Sequence, residues 1–100
     1  ISGGENIYPM EITNVIMQVI DDVAEVAVYG VPDDEWGERV KASVVLLPGS
    51  SLTAEKIKAY CMEHMPHYKV PKEVELLPSL PRNSTGKILV GELKRHVTSP

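Results

Sequence analysis

The chain has 100 residues, 43% of them hydrophobic, with a formal net charge of −4, so one globular domain with one modest core is expected. The acidic balance argues against nonspecific nucleic-acid binding, and no apolar run approaches the ~20 residues of a membrane span. The single cysteine, Cys61, excludes an internal disulfide and suits a reducing, cytoplasmic setting.

The charge is uneven. Residues 1–65 hold four Lys/Arg against eleven Asp/Glu, whereas residues 66–100 hold six against three. The basic surplus of the last third fits a phosphorylated small molecule. Phe is absent and Trp occurs once, so Val, Ile and Leu must fill the core. No initiator Met, signal peptide or repeat is visible. The opening "ISGGENIYP" reads as the middle of a longer chain.

Gly3 and Gly4 mark a turn or a close approach to backbone. Pro9 suits the first position of a helix, and Glu11 falls in its first turn. Ile12, Val15, Ile16, Val19 and Ile20 follow as one apolar stripe, ended by Asp21 and Asp22. "VAEVAVYGV" is a strand bounded by Gly30 and Pro32. "PDDEWGE" is a polar turn carrying Trp36. "RVKASVVLL" is a second strand, with Val40, Ala42, Val44 and Leu46 on one face and Arg39, Lys41 and Ser43 on the other. The two strands are expected to pair antiparallel through the Asp33–Gly37 turn.

Thr53 is a candidate N-cap for a helix from Ala54 to about Met65, stopped by Pro66. Ile57, Tyr60, Cys61 and Met65 should face inward. "HYKVP" reads as a loop, "KEVELL" as a third strand and "PSLPRNSTGK" as a loop, before a final helix carrying Leu89, Leu93 and Val97. The order α-β-β-α-β-α predicts an α+β fold: a small, mainly antiparallel three-stranded sheet with helices packed on it.

"NSTGKI" is the stretch richest in chemistry. A phosphate-binding P-loop is excluded: Pro81 stands where its first glycine belongs, and Ile88 where its hydroxyl residue belongs. Asn83-Ser84-Thr85 matches a glycosylation acceptor, a chance match in a cytosolic chain. Lys87 is then either a solvated charge on a turn or a point charge able to bridge the oxygens of two reacting anions. Spacing alone leaves both open. Cys61, His64 and His67 have a C-x-x-H-x-x-H spacing, but zinc wants four ligands, or three and a water, and Pro66 separates His67 from the helix. No metal site is assigned.

"SGGENIYPMEI" at one end and "PRNSTGKILVGELK" at the other resemble two signature motifs of the acyl-adenylate-forming (ANL) superfamily, which includes acyl-CoA synthetases, luciferases and peptide-synthetase adenylation domains. "VAVYGVPDDEWGERVKASVVL" and "YCMEHMPHYKVPKEVELL" are similar to the intervening pattern, in the same order. The resemblance covers essentially the whole chain and identifies it with the small C-terminal lid domain, most similar to fatty-acid and aryl-acid CoA ligases.

The resemblance implies a role for each matching position. Lys87 takes the place of the catalytic lysine, which stabilises the attack of a carboxylate on the α-phosphate of ATP. Gly3, Gly4 and Glu5 lie in the stretch that enters the active site after the lid rotates, with Gly4 leaving room for the pantetheine arm of CoA. Trp36 would lie near that arm. Tyr68 could stack on the adenine of CoA and Lys72 could pair with a phosphate, with Lys69 a lesser candidate. Val70 stands where a common version has arginine, which removes one phosphate contact.

Implied partners are the chain's own N-terminal adenylation domain, ATP with Mg2+ held mainly by that domain, acyl-adenylate and CoA. Without that domain the 100 residues are expected to be inactive. Two alternatives stand beside this reading. One is the lid of an enzyme that loads a carrier-protein phosphopantetheine. The other is a non-catalytic module that binds a phosphorylated ligand through its basic last third.

Overall fold

The computed structural model describes residues 9–35 and 37–95. The elements run α1 (Pro9–Val19), β1 (Val23–Asp33), β2 (Gly37–Leu46), α2 (Ala54–His64), a 3-10 turn (His67–Lys69), β3 (Glu73–Leu76) and α3 (Val90–Arg95). This is the α-β-β-α-β-α order that the patterning predicts. Gly3, Gly4, Glu5, Trp36 and Val97 lie outside the described residues.

The strands form one sheet in the order β1-β2-β3. β1 and β2 make an antiparallel hairpin, paired from Val23↔Leu46 to Asp33↔Gly37 with an irregularity between Val23 and Glu25. Asp33 closes the turn by accepting the Glu35 N–H at 2.9 Å. β3 joins β2 in parallel, from Lys41↔Glu73 to Val44↔Leu76. A parallel partner needs a crossover of a dozen or more residues, and α2 with its flanking loops provides it.

Two apolar layers enclose the sheet. On one face, Ile12 and Ile16 of α1 and Ile57 and Cys61 of α2 pack against Ala42 and Val44. Burying each isoleucine contributes about 1.5–3 kcal/mol relative to leaving it exposed. Thr53 caps α2 as its sequence predicts, its Oγ1 accepting the Lys56 N–H at 3.2 Å. On the other face, Ala27, Tyr29, Val31 and Val45 are covered by Leu80 and Leu93, with Ile88 and Val90 beside them. The segment after β3 therefore folds back over the sheet.

Three details depart from the sequence reading. Tyr60 is expected to point inward, but the residue is 39% exposed, because α2 turns only Ile57 and Cys61 fully into the core. "HYKVP" contains a 3-10 turn where a plain loop is expected, with Lys69 N–H bonded to Pro66 O at 2.9 Å. The alternation of β2 reads as one apolar and one polar face, yet both are buried: Lys41 and Ser43 have no exposed surface. Glu73 and Glu75 of β3 flank Lys41, Tyr29 of β1 meets Ser43, and Leu80 and Leu93 pack on the neighbouring apolar residues of this face.

That buried polar face is internally paired. Lys41 Nζ lies 3.0 Å from Glu75 Oε1 and 3.2 Å from Glu73 Oε2, and Arg39 Nη2 lies 2.8 Å from Glu73 Oε1. Tyr29 and Ser43 share a hydroxyl hydrogen bond of 2.6 Å. Burial alone would lower the pKa of Lys41, but the ion pair with Glu75 and the neighbouring charges outweigh it and raise the value. Burial likewise opposes ionisation of Glu73, yet its bonds to Arg39 and Lys41 hold its carboxyl below the ordinary range. Burial raises the pKa of the Tyr29 phenol, and the hydrogen bond shared with Ser43 offsets only part of that shift.

Candidate active site on the Arg82–Ile88 hairpin

After Leu80 anchors the chain in the second layer, residues 81–89 form a tight hairpin. Arg82 and Ile88 make an antiparallel bridge. Leu89 N–H donates to Pro81 O at 2.8 Å, Asn83 N–H to Lys87 O at 3.0 Å and Gly86 N–H to Asn83 O at 3.0 Å. The reversal needs a left-handed residue, and Gly86 supplies it at φ +90°.

One side chain organises the tip. Asn83 Oδ1 accepts the Thr85 N–H at 3.0 Å, the Thr85 hydroxyl at 2.7 Å and the Lys87 N–H at 2.9 Å. Arg82 braces the hairpin from outside. Its Nη1 donates to Gly86 O at 2.6 Å, and its Nη2 pairs with Glu25 of β1. Lys87 is exposed at this tip, while Ile88 beside it packs on the core. Among the described residues, no carboxylate pairs with Lys87.

The remaining described candidates sit elsewhere, in the layer formed by α1 and α2. Tyr68 is 46% exposed on the 3-10 turn. Lys69 pairs with Glu11 of α1, and its Nζ lies 5.9 Å from the centre of the Tyr68 ring. The bond to Glu11 raises the Lys69 pKa, so this ammonium already has an internal partner. Lys72 starts the approach to β3: its N–H donates to Val40 O at 3.0 Å, and its carbonyl accepts Lys58 Nζ at 3.1 Å. Lys58, His67 and Lys72 line a basic hollow of about 300 Å³ with Met62, Val70 and Pro71. Val70 belongs to the α1–α2 layer and Ile88 to the opposite one. The structure thus gathers Tyr68, Lys69 and Lys72 on one side of the sheet and puts Lys87 on the other.

A profile of the family described as "AMP-binding enzyme C-terminal domain" matches residues 11–87. The chain belongs to this family. Among curated relatives, the long-chain-fatty-acid–CoA ligase FadD13 of Mycobacterium tuberculosis is 43% identical over 99 residues, which are 99% of this chain and 19% of that protein. The 4-chlorobenzoate–CoA ligase of a Pseudomonas species is 42% identical over 100 residues, again 99% of this chain and 19% of that protein. Among solved structures, a Mycobacterium tuberculosis fatty acyl CoA synthetase superposes with a TM-score of 0.86 at 45% identity, covering 97% of this chain and 19% of that one. The AMP-binding C-terminal domain therefore spans about a fifth of the length of the relatives it matches.

Within this domain, sequence reasoning singled out Lys87 but missed what holds it. Asn83 was legible as a glycosylation triplet, yet Asn two residues before a Thr-Gly pair is also the signature of a side chain closing its own turn. The strut from Arg82 to Glu25 joins residues 57 positions apart, and no local pattern encodes it. Cys61 is buried, which pushes its thiol up to about 11, while His64 and His67 are exposed. Among the described residues, no three His, Cys, Asp or Glu side chains gather as they would around a metal ion, and no helix is long and apolar enough to cross a membrane.

Proposed function

We propose that the chain is the mobile C-terminal lid of a cytoplasmic, ATP-dependent acyl-CoA synthetase that adenylates a fatty or aryl carboxylic acid and then forms its CoA thioester. One observation carries this reading. Lys87 projects, unpaired among the described residues, from a hairpin whose backbone is held by Asn83, on the face of the sheet opposite Tyr68 and Lys72. A lid that presents these two faces in turn can serve two half-reactions at one centre.

In the first half-reaction a carboxylate oxygen of the acid attacks the α-phosphorus of ATP. A new P–O bond forms, and the bond to pyrophosphate breaks. Two anions must meet, and negative charge builds on the phosphoryl oxygens. The Lys87 ammonium approaches both and stabilises that charge. Magnesium, held by the larger N-terminal domain, would neutralise part of the charge on the phosphates. In the second half-reaction the CoA sulfur attacks the acyl carbon, a C–S bond forms, AMP leaves and the thiol proton passes to solvent. Gly3, Gly4 and Glu5 are assigned to the channel for the pantetheine arm and Trp36 to its side. Tyr68 and Lys72 are assigned to the nucleotide end of CoA. Lys69 is assigned a lesser part there, since it already pairs with Glu11.

The experiment is Lys87→Ala in the full-length enzyme. Adenylate formation, measured by pyrophosphate exchange, should fall by about 10²–10³, the scale of losing one such donor. Thioester formation from supplied acyl-adenylate should continue. An unchanged exchange rate would overturn the assignment and favour a non-catalytic module. Saturation by a holo carrier protein and not by CoA would favour carrier loading.

A further inference from the structure

We propose that Asn83 is a positioning residue for Lys87, acting through the hairpin backbone with Arg82 as its brace. The inference rests on the reading of Lys87 as the adenylation lysine. Asn83 engages both backbone polar groups of Lys87: its Oδ1 accepts the Lys87 N–H at 2.9 Å, and its own N–H donates to the Lys87 carbonyl at 3.0 Å. The same Oδ1 takes two donors from Thr85. The direction in which the Lys87 side chain leaves the hairpin is thus set by one neighbouring residue. Arg82 fixes the hairpin to the sheet, holding Gly86 O on one side and Glu25 of β1 on the other.

The physical demand for such a frame comes from the length of lysine. Its ammonium sits at the end of four methylenes, so a small rotation of the backbone at Lys87 becomes a large displacement of the charge. A misplacement of about 1 Å can cost a factor of about 10² in rate, and a site on a loop holds its geometry only when surrounding hydrogen bonds lock it. The folded domain itself depends little on these bonds. Asn83, Ser84, Thr85 and Gly86 are all exposed, so water can replace the lost partners. The side chain of Asn83 therefore orders the hairpin more than it stabilises the core.

The test compares Asn83→Ala, Asn83→Asp and Lys87→Ala in the full-length enzyme, with both half-reactions measured separately. Asn83→Ala should lower kcat for adenylate formation by about 10–100-fold, leave KM for ATP and acid nearly unchanged, and leave thioester formation from supplied acyl-adenylate within about twofold. Asn83→Asp, which keeps an oxygen acceptor, should recover most of the adenylation rate. An Asn83→Ala enzyme that adenylates within twofold of the parent, while Lys87→Ala is crippled, would overturn the proposal. So would equal losses in both half-reactions, the mark of a general folding defect, or equal losses for the Ala and Asp variants. If Lys87→Ala itself adenylates normally, the fault lies in the assignment of Lys87, and the role of Asn83 falls with it.

Discussion

Replacing Lys41 with methionine strikes the buried polar face of the sheet. Lys41 has no exposed surface, and methionine fills nearly the volume of its stem, so the cavity left behind is small. The change is then electrostatic. Glu73 keeps Arg39 at 2.8 Å, but Glu75 loses its cation, and no other among the described residues replaces it. Removing one partner of a buried pair typically costs 3–5 kcal/mol. The side chains of Glu73 and Glu75 are 27% and 26% exposed, so water relieves part of the penalty and the expected loss is about 3 kcal/mol. In a domain of this size that lowers Tm by roughly 15 °C. Urea and thermal unfolding of the 100-residue chain, followed by far-ultraviolet circular dichroism at neutral pH, measure both. The partner test is Glu75→Gln. Alone it should destabilise, because it removes the main counter-charge of Lys41; in the Lys41→Met background it should restore about 1–2 kcal/mol by neutralising the stranded carboxylate. A Lys41→Met loss below about 1 kcal/mol, or no sign reversal for Glu75→Gln, would refute the argument that this ion cluster is a coupled buried unit.

Three further outcomes follow from the same structure. The folded-state pKa of Glu73 is lowered, so the unfolded chain takes up its proton first as pH falls. Its contribution is therefore complete above the ordinary glutamate pKa of about 4.3 and is lost as pH drops through the lower folded value. Glu73→Gln should flatten that part of an acid-stability profile. Cys61, buried with its thiol pushed up to about 11, should resist a thiol reagent at pH 8 in the folded chain and react at once in denaturant; rapid labelling of the folded chain would contradict its placement. Thr53→Ala removes the α2 cap and should cost about 1 kcal/mol in urea unfolding, whereas Thr53→Ser should cost far less.

The elements that were legible in the sequence are those whose signal is local. The stripe from Ile12 to Ile20 and the Thr53 cap each occupy a few turns of chain, and helical spacing or a hydrogen bond three residues long accounts for them. The motif around Lys87 is contiguous, so its resemblance to the family was legible, whereas spacing alone left the role of the lysine open. Tyr60 was misplaced because spacing along α2 gives a stripe but not its width, which depends on how closely the helix lies against the sheet.

The amino-acid sequence by itself determined the order of elements and the hairpin of β1 and β2, because hydrophobic period and turn residues act over neighbouring positions. Only the tertiary structure decided that β3 returns parallel to β2, that Lys41 is sealed between carboxylates and that Arg82 reaches Glu25. Those outcomes depend on which distant segment lies over which face of the sheet. The desolvation that makes Lys41 consequential comes from residues far along the chain, and no window of sequence around it contains them.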